Sequence, residues 1–174
     1  SPASFTVGGV TLTATGYTYS NPQAQIRTAT TFSGLSPALA PVVGVGGANG
    51  GVSVCVTGDN SCNQIEADGP NEMLRLDLSG GSYRLKSLTL SAVDTANTAA
   101  NKPDTLRLYG ITGDALTNLG FGTGPTYPTI ASIGTFIAGS RYRVDFTSSQ
   151  TFASFLLGAN GGVGDGYRVR ALEV

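Results

Sequence analysis

Residues 55–72, C-V-T-G-D-N-S-C-N-Q-I-E-A-D-G-P-N-E, hold both cysteines of the chain and four of its eleven acidic residues. Cys55 and Cys62 are separated by six residues that include the turn-forming run Gly58-Asp59-Asn60-Ser61. An even cysteine count in a chain of this composition points to a disulfide and an oxidising compartment. Closing so short a loop contributes roughly 2–3 kcal/mol in the chain-entropy picture. The two-residue spacing of redox motifs is missing. Two thiols without a histidine are also too few for structural zinc. Glu66, Asp68, Asn71 and Glu72 crowd around Gly69-Pro70. A turn that gathers several hard oxygen atoms is what calcium requires, although the spacing is not that of an EF-hand. Asp94, Asp104 or Asp165 would complete such a site from other loops. The plainer alternative is that Asp68 and Asn71 make local turn hydrogen bonds while the glutamates face water.

Catalytic chemistry finds little support. The chain has no histidine and no tryptophan. The first absence removes the commonest general base and the usual serine triad. A glycosidase would use two of the carboxylates, but the aromatic platform expected beside a sugar is missing. Lys86 and Lys102 stand in exposed contexts, without the burial that turns a lysine into a nucleophile. The chain reads as a non-enzyme.

The elements that position these residues are strands. At 174 residues the chain fits one domain, residues 1–174, and can bury a substantial core. Charged residues make up 12%, about half the usual share, and glycine, serine and threonine are abundant. Apolar and polar residues alternate in Val10-Thr11-Leu12-Thr13-Ala14-Thr15, Leu74-Arg75-Leu76-Asp77-Leu78, Tyr83-Arg84-Leu85-Lys86, Leu106-Arg107-Leu108-Tyr109, Tyr142-Arg143-Val144-Asp145-Phe146 and Tyr167-Arg168-Val169-Arg170-Ala171. That period of two belongs to half-buried strands whose charged residues face solvent. Further strands are expected at residues 24–32, 42–45, 52–56, 88–93, 129–137 and 152–157. Residues 94–102 read as an exposed loop ending at Pro103. With no helices to form crossovers, the expected fold is all-β: an antiparallel β-sandwich of jelly-roll type, or alternatively an immunoglobulin-like Greek key. The first and last segments are expected to be paired strands.

The net charge of −1 and the scattered basic residues argue against nucleic acid as a partner. No apolar run approaches the roughly 20 residues needed to span a bilayer. The opening Ser1-Pro2-Ala3 is read as what remains after a secretory leader is removed.

Several segments occur in an order that resembles the extracellular part of bacterial PEP-CTERM proteins, which exosortase sorts to the surface. They are V-T-L-T-A-T-G-Y at 10–17, V-G-V-G at 43–46, I-E-A-D-G-P-N-E-M-L-R-L-D-L at 65–78, a leucine-rich strand ending at Val93-Asp94, and G-D-G-Y-R-V-R-A-L-E-V at 164–174. The pieces cover most of the chain, but they are strand patterns more than catalytic signatures. The Pro-Glu-Pro tail, membrane helix and basic end of the family do not follow, and Val174 is read as a processed end. The resemblance implies export, a role at the cell surface or in extracellular polymer, and no reaction.

The expected function is therefore a secreted, non-enzymatic building block of a surface or matrix. It would self-associate by adding its N-terminal strand, residues 4–15, to a neighbour's sheet edge. Phe5, Val7, Val10 and Leu12 would form the contact. The alternative, pairing of that strand within its own domain, stands beside it. A second class is a calcium-assisted module that binds extracellular polysaccharide, with Glu66, Asp68, Asn71 and Glu72 as ion ligands.

Overall fold

The computed structural model describes residues 2–19, 36–39, 41–44, 51–54, 64–66, 71–119, 127–159 and 164–174. Two antiparallel sheets pack face to face. The first contains β1 (Ala3–Val7), β2 (Val10–Tyr19), β3 (Ser36–Leu39), β7 (Asn71–Leu78), β9 (Arg107–Thr112), β10 (Ala115–Asn118) and β13 (Ser154–Gly158). Its order is β1-β2-β7-β13-β9-β10, with β3 also on β2. The second contains β4 (Pro41–Gly44), β5 (Gly51–Val54), β6 (Ile65–Glu66), β8 (Ser87–Ser91), β11 (Thr135–Ala138), β12 (Arg141–Asp145) and β14 (Gly166–Glu173). Its order is β11-β12-β8-β14-β5-β4, with β6 also on β14. The fold is an all-β sandwich, as the alternation requires, and both ends of the chain are tied into strands.

The leucines that alternate in sequence seal the space between the sheets. Leu74, Leu76 and Leu78 of β7, Leu88 and Leu90 of β8, Leu108 of β9, Phe155 and Leu157 of β13 and Val144 of β12 form one buried cluster. Most of the charged partners in these runs point outward. Arg75 is salt-bridged to Asp77 at 2.9 Å on the first sheet, and Arg143 to Asp145 at 2.7 Å and Glu173 at 2.8 Å on the second.

The structure redraws three expected segments. Residues 4–15 form a hairpin, with Val7 opposite Val10. Gly8 and Gly9 make the turn at φ 59° and 82°, values that fit a tight hairpin turn and that glycine adopts without strain. Residues 129–137 divide into a short helix, α1 (Ile130–Ile133), and β11. Pro128 precedes this turn, Gly134 closes it onto the Ile130 carbonyl, and Ile130 and Ile133 both reach the core. The spacing of three serves one helical turn as well as an irregular strand would. Residues 83–86 form no continuous strand: Tyr83 makes an isolated bridge with Phe152, and Lys86 donates its N–H to the Glu173 carbonyl and accepts the Phe146 N–H, both at 2.8 Å. The strand expected at 24–32 lies outside the described residues.

Gly110 of β9 allows a close approach. A Cβ there would sit 2.5 Å from the Phe152 ring, inside any real carbon contact. Gly110→Ala should therefore lower unfolding stability by about 1–3 kcal/mol. Adding Phe152→Leu should recover part of the loss, giving a favourable coupling of on the order of 1 kcal/mol in a double-mutant cycle read by urea denaturation. Purely additive losses would show that the ring is not what fills that space.

Candidate functional site

The 55–72 stretch is divided by the fold. Cys55, Cys62 and Asp68 lie outside the described residues. Gln64 anchors the segment: its Nε2 donates to the Ala92 carbonyl at 2.8 Å and to the Gly166 carbonyl at 2.9 Å. Ala92 itself takes a left-handed φ of 55°, a conformation costly for a residue with a Cβ. Ile65 and Glu66 then pair with Tyr167 and Gly166 as β6 against β14. Asn71 and Glu72 open β7, opposite Tyr19 and Thr18. Glu72 does not face water. It is buried at 2% exposure, in register with the inward-facing Leu74 and Leu76. Period two carries the inner face one residue further up β7 than its leucines mark.

A second acidic group stands beside β6 at the same end of the sandwich, and here the three aspartates from other loops do meet. Asp104 and Asp165 are both buried. Asp104 accepts the Gly166 N–H on Oδ1 at 2.8 Å and the Asp94 N–H on Oδ2 at 2.6 Å. Asp165 accepts the Thr105 N–H on Oδ1 at 2.8 Å and the Thr105 hydroxyl on Oδ2 at 2.7 Å. The arrangement is reciprocal: each aspartate captures the backbone N–H of the residue that follows the other aspartate. It fastens the start of β9 in one sheet to the start of β14 in the other. Asp94 extends the network, accepting from the Ala96 N–H at 2.7 Å and from the Asn101 amide. The Tyr167 hydroxyl donates to the Gly158 carbonyl at 2.8 Å, which ties the start of β14 to the end of β13. Each described carboxylate oxygen in the clasp is spent on a protein donor, so the geometry supports bracing more than ligand capture. Among the described residues no group of three acidic, cysteine or histidine side chains is arranged to hold a metal.

Burial dominates the electrostatics here. It pushes the Asp104 carboxyl up to about 8, against the lowering effect of its two backbone donors and with a smaller push from Asp165 and Asp94. Burial likewise raises the Tyr167 phenol well above its ordinary value. On the outer face of the first sheet, Arg107 is 1% exposed, unlike the solvent-facing strand arginines. The Tyr127 ring covers its guanidinium at 4.8 Å. Tyr127 shares a 2.7 Å hydrogen bond with Tyr109.

The residues expected at an assembly contact lie on β1, the last strand of the first sheet among the described residues, and on β2 beside it. Phe5 pairs with Leu12 and Val7 with Val10, all within one chain. Val10 and Leu12 are half-buried against the core, whereas Phe5 is 38% and Val7 80% exposed. Family models, curated proteins and solved structures were all compared with the chain, and none matches it.

The clasp makes stability depend on pH. The folded chain holds the Asp104 proton up to about pH 8, whereas the unfolded chain releases it near pH 4. Between these values the unfolded state binds fewer protons than the folded one. Stability should therefore fall as pH rises across the window and level off above it. Urea midpoints from pH 4 to 9 will trace this decline, and Asp104→Asn should flatten it. A variant that keeps the full decline would assign it to another group.

Proposed function

We propose that the chain is a secreted, non-enzymatic structural protein of a cell surface or extracellular matrix, and that it self-assembles by strand addition at β1. One observation carries this reading: a sheet edge that, among the described residues, is open, uncharged and apolar. β1, A-S-F-T-V, has four of its five residues exposed. Among the described residues it pairs only with β2. Edge strands of soluble proteins are normally guarded by charge, proline or a bulge, because an open ladder recruits other strands. Within β1 there is no such guard. The hairpin turn leaves β1 paired in its own domain, so a neighbour would add to its outer edge and would not exchange the strand.

Export is supported by the composition, the paired spacing of Cys55 and Cys62 and the resemblance to PEP-CTERM extracellular domains. The bracing role of Asp104 and Asp165 favours a building block over an ion-dependent binder. As the finer fold class we propose a jelly-roll. From β5 onward the principal strands alternate between the sheets except at the β9–β10 hairpin, with β5-β14-β8-β12 facing β7-β13-β9-β10, the double-sheet arrangement of that class.

Light scattering and negative-stain electron microscopy of the purified chain test the reading. The wild type should form assemblies that grow with concentration. Phe5→Lys combined with Val7→Lys should leave monomers. Val7 is 80% exposed, so its substitution should change unfolding stability by only about 0.5 kcal/mol, and that of Phe5, which is 38% exposed, by more. A doubly substituted chain that assembles as readily as the wild type would remove β1 from the contact.

A further inference from the structure

The four exposed large apolar residues among those described sit on two edge strands, Phe5 and Val7 on β1 and Phe136 and Ile137 on β11. These strands lie at opposite sides of the sandwich. Contacts across the sheets set β1 and β2 against β4 and β5, so β1 and β4 form one lateral rim. At the other side Leu108 of β9 and Leu119, which follows β10, share a groove with Leu85 and Phe146, which precede β8 and follow β12. On that side the first sheet ends in β10 and the second in β11, and these two edge strands make up the second rim.

Strand direction makes the two rims complementary. Every neighbouring pair along β1-β2-β7-β13-β9-β10 is antiparallel, so β1 and β10 point in opposite directions. The same holds along β11-β12-β8-β14-β5-β4, so β4 and β11 are opposed too. A copy shifted sideways without rotation therefore brings its β10 antiparallel to β1 and its β11 antiparallel to β4. Both sheets can then continue with the same pairing they use internally.

Side-chain facing agrees. Phe5 and Val7 stand opposite Leu12 and Val10, which pack on the core, so they project from the inner face of the first sheet. Phe136 stands opposite Tyr142, which also packs on the core; their rings meet edge to face at 5.6 Å. Phe136 thus projects from the inner face of the second sheet and is 57% exposed. Placed side by side, the rims bring these inner-face residues together across the gap between sheets. Neither rim opposes this electrostatically, because the sequences of β1, β4, β10 and β11 (ASFTV, PVVG, ALTN and TFIA) contain no charged residue. A strand of four or five residues spans only about 15 Å. One such pairing falls short of the roughly 1,200 Å² of a stable interface, so the two ladders must engage together.

Building on the self-assembly reading above, we propose that the partner is a second copy in the same orientation. Its β10–β11 rim docks on the β1–β4 rim, so that both sheets run on and Phe5 and Val7 close a small core with Phe136 of the partner subunit. Such a contact is heterologous and leaves a free rim at each end, so it propagates as a filament. Sheet twist adds a small rotation from each copy to the next, which leaves the antiparallel pairing intact and makes the filament helical.

The test blocks one rim at a time in the full chain. Val7→Lys disables the β1–β4 rim and Phe136→Lys the β10–β11 rim. Ile137→Lys, also on β11, is the second variant should Phe136→Lys unfold by circular dichroism. In sedimentation velocity, each blocked chain alone should need at least roughly tenfold more protein to associate, a loss of one decade in affinity. An equal mixture of the two should give dimers and nothing larger, because each supplies the rim the other lacks. If a β11 variant alone assembles like the wild type, the joint does not use that rim and the proposal fails. If the mixture stays monomeric while the wild type assembles, this joint fails and the wider self-assembly reading stands. A wild type that never assembles overturns both.

Discussion

The structure depends on one constraint: each sheet has an apolar face that water must not reach. Leu74, Leu88, Leu90, Leu108, Phe155 and Leu157 have no measurable exposure, and each buried leucine or phenylalanine side chain contributes about 1.5–3 kcal/mol. Those residues come from both sheets, so neither layer can hold its strands in register without the other. The outward arginines and aspartates follow from the same constraint, since period two sends every second side chain to the opposite face. Their surface ion pairs are worth little individually. They mark which face is wet more than they hold it in place.

A sandwich solves the problem of its faces and leaves the problem of its edges. Central strands satisfy their backbone groups on both sides, and edge strands do so on one. The described charges lie mainly on strands inside the sheets, such as Arg75 and Asp77 on β7 and Arg143 and Asp145 on β12. The rims are neutral, and β1 and β11 carry apolar side chains whose inner faces run out beyond the cover of the opposite sheet. A protein selected only to stay monomeric would reverse that distribution. Neutral, apolar rims with antiparallel-compatible directions are what lateral growth requires.

The alternating leucines made the fold class legible, because burial on one face leaves a periodic trace that needs no knowledge of partners. The same trace misled at residues 129–137, where Ile130, Ile133 and Ile137 fit more than one geometry and only Pro128 and Gly134 separate them. Gly8-Gly9 between two alternating runs was a hairpin signal present in the sequence. Without it the hairpin merges into one long strand and its free edge moves from β1 to β2. Arg107 looked like its neighbours because nothing local announces that Tyr127, twenty residues away, will lie over it.

The clasp was harder to read for a deeper reason. Asp104 and Asp165 are sixty-one positions apart and sit in loops, where aspartate normally means solvent or a local turn. What buries them is the meeting of two chain segments, the residues just before β9 and the start of β14, where the Thr105 and Gly166 N–H groups donate to the aspartates. An aspartate at each start, followed by a residue whose N–H needs an acceptor, solves both deficits at once, and the Asp104-Thr105 and Asp165-Gly166 dipeptides are the trace it leaves. A buried carboxyl group that loses its hydrogen-bond partners costs about 1–3 kcal/mol, so this end of the sandwich tolerates little relative movement of the sheets. That rigidity suits the proposed joint, in which the two rims would have to keep a fixed offset. If the sheets slid against each other, the ladder at β1 and the ladder at β4 could not both find the same neighbour.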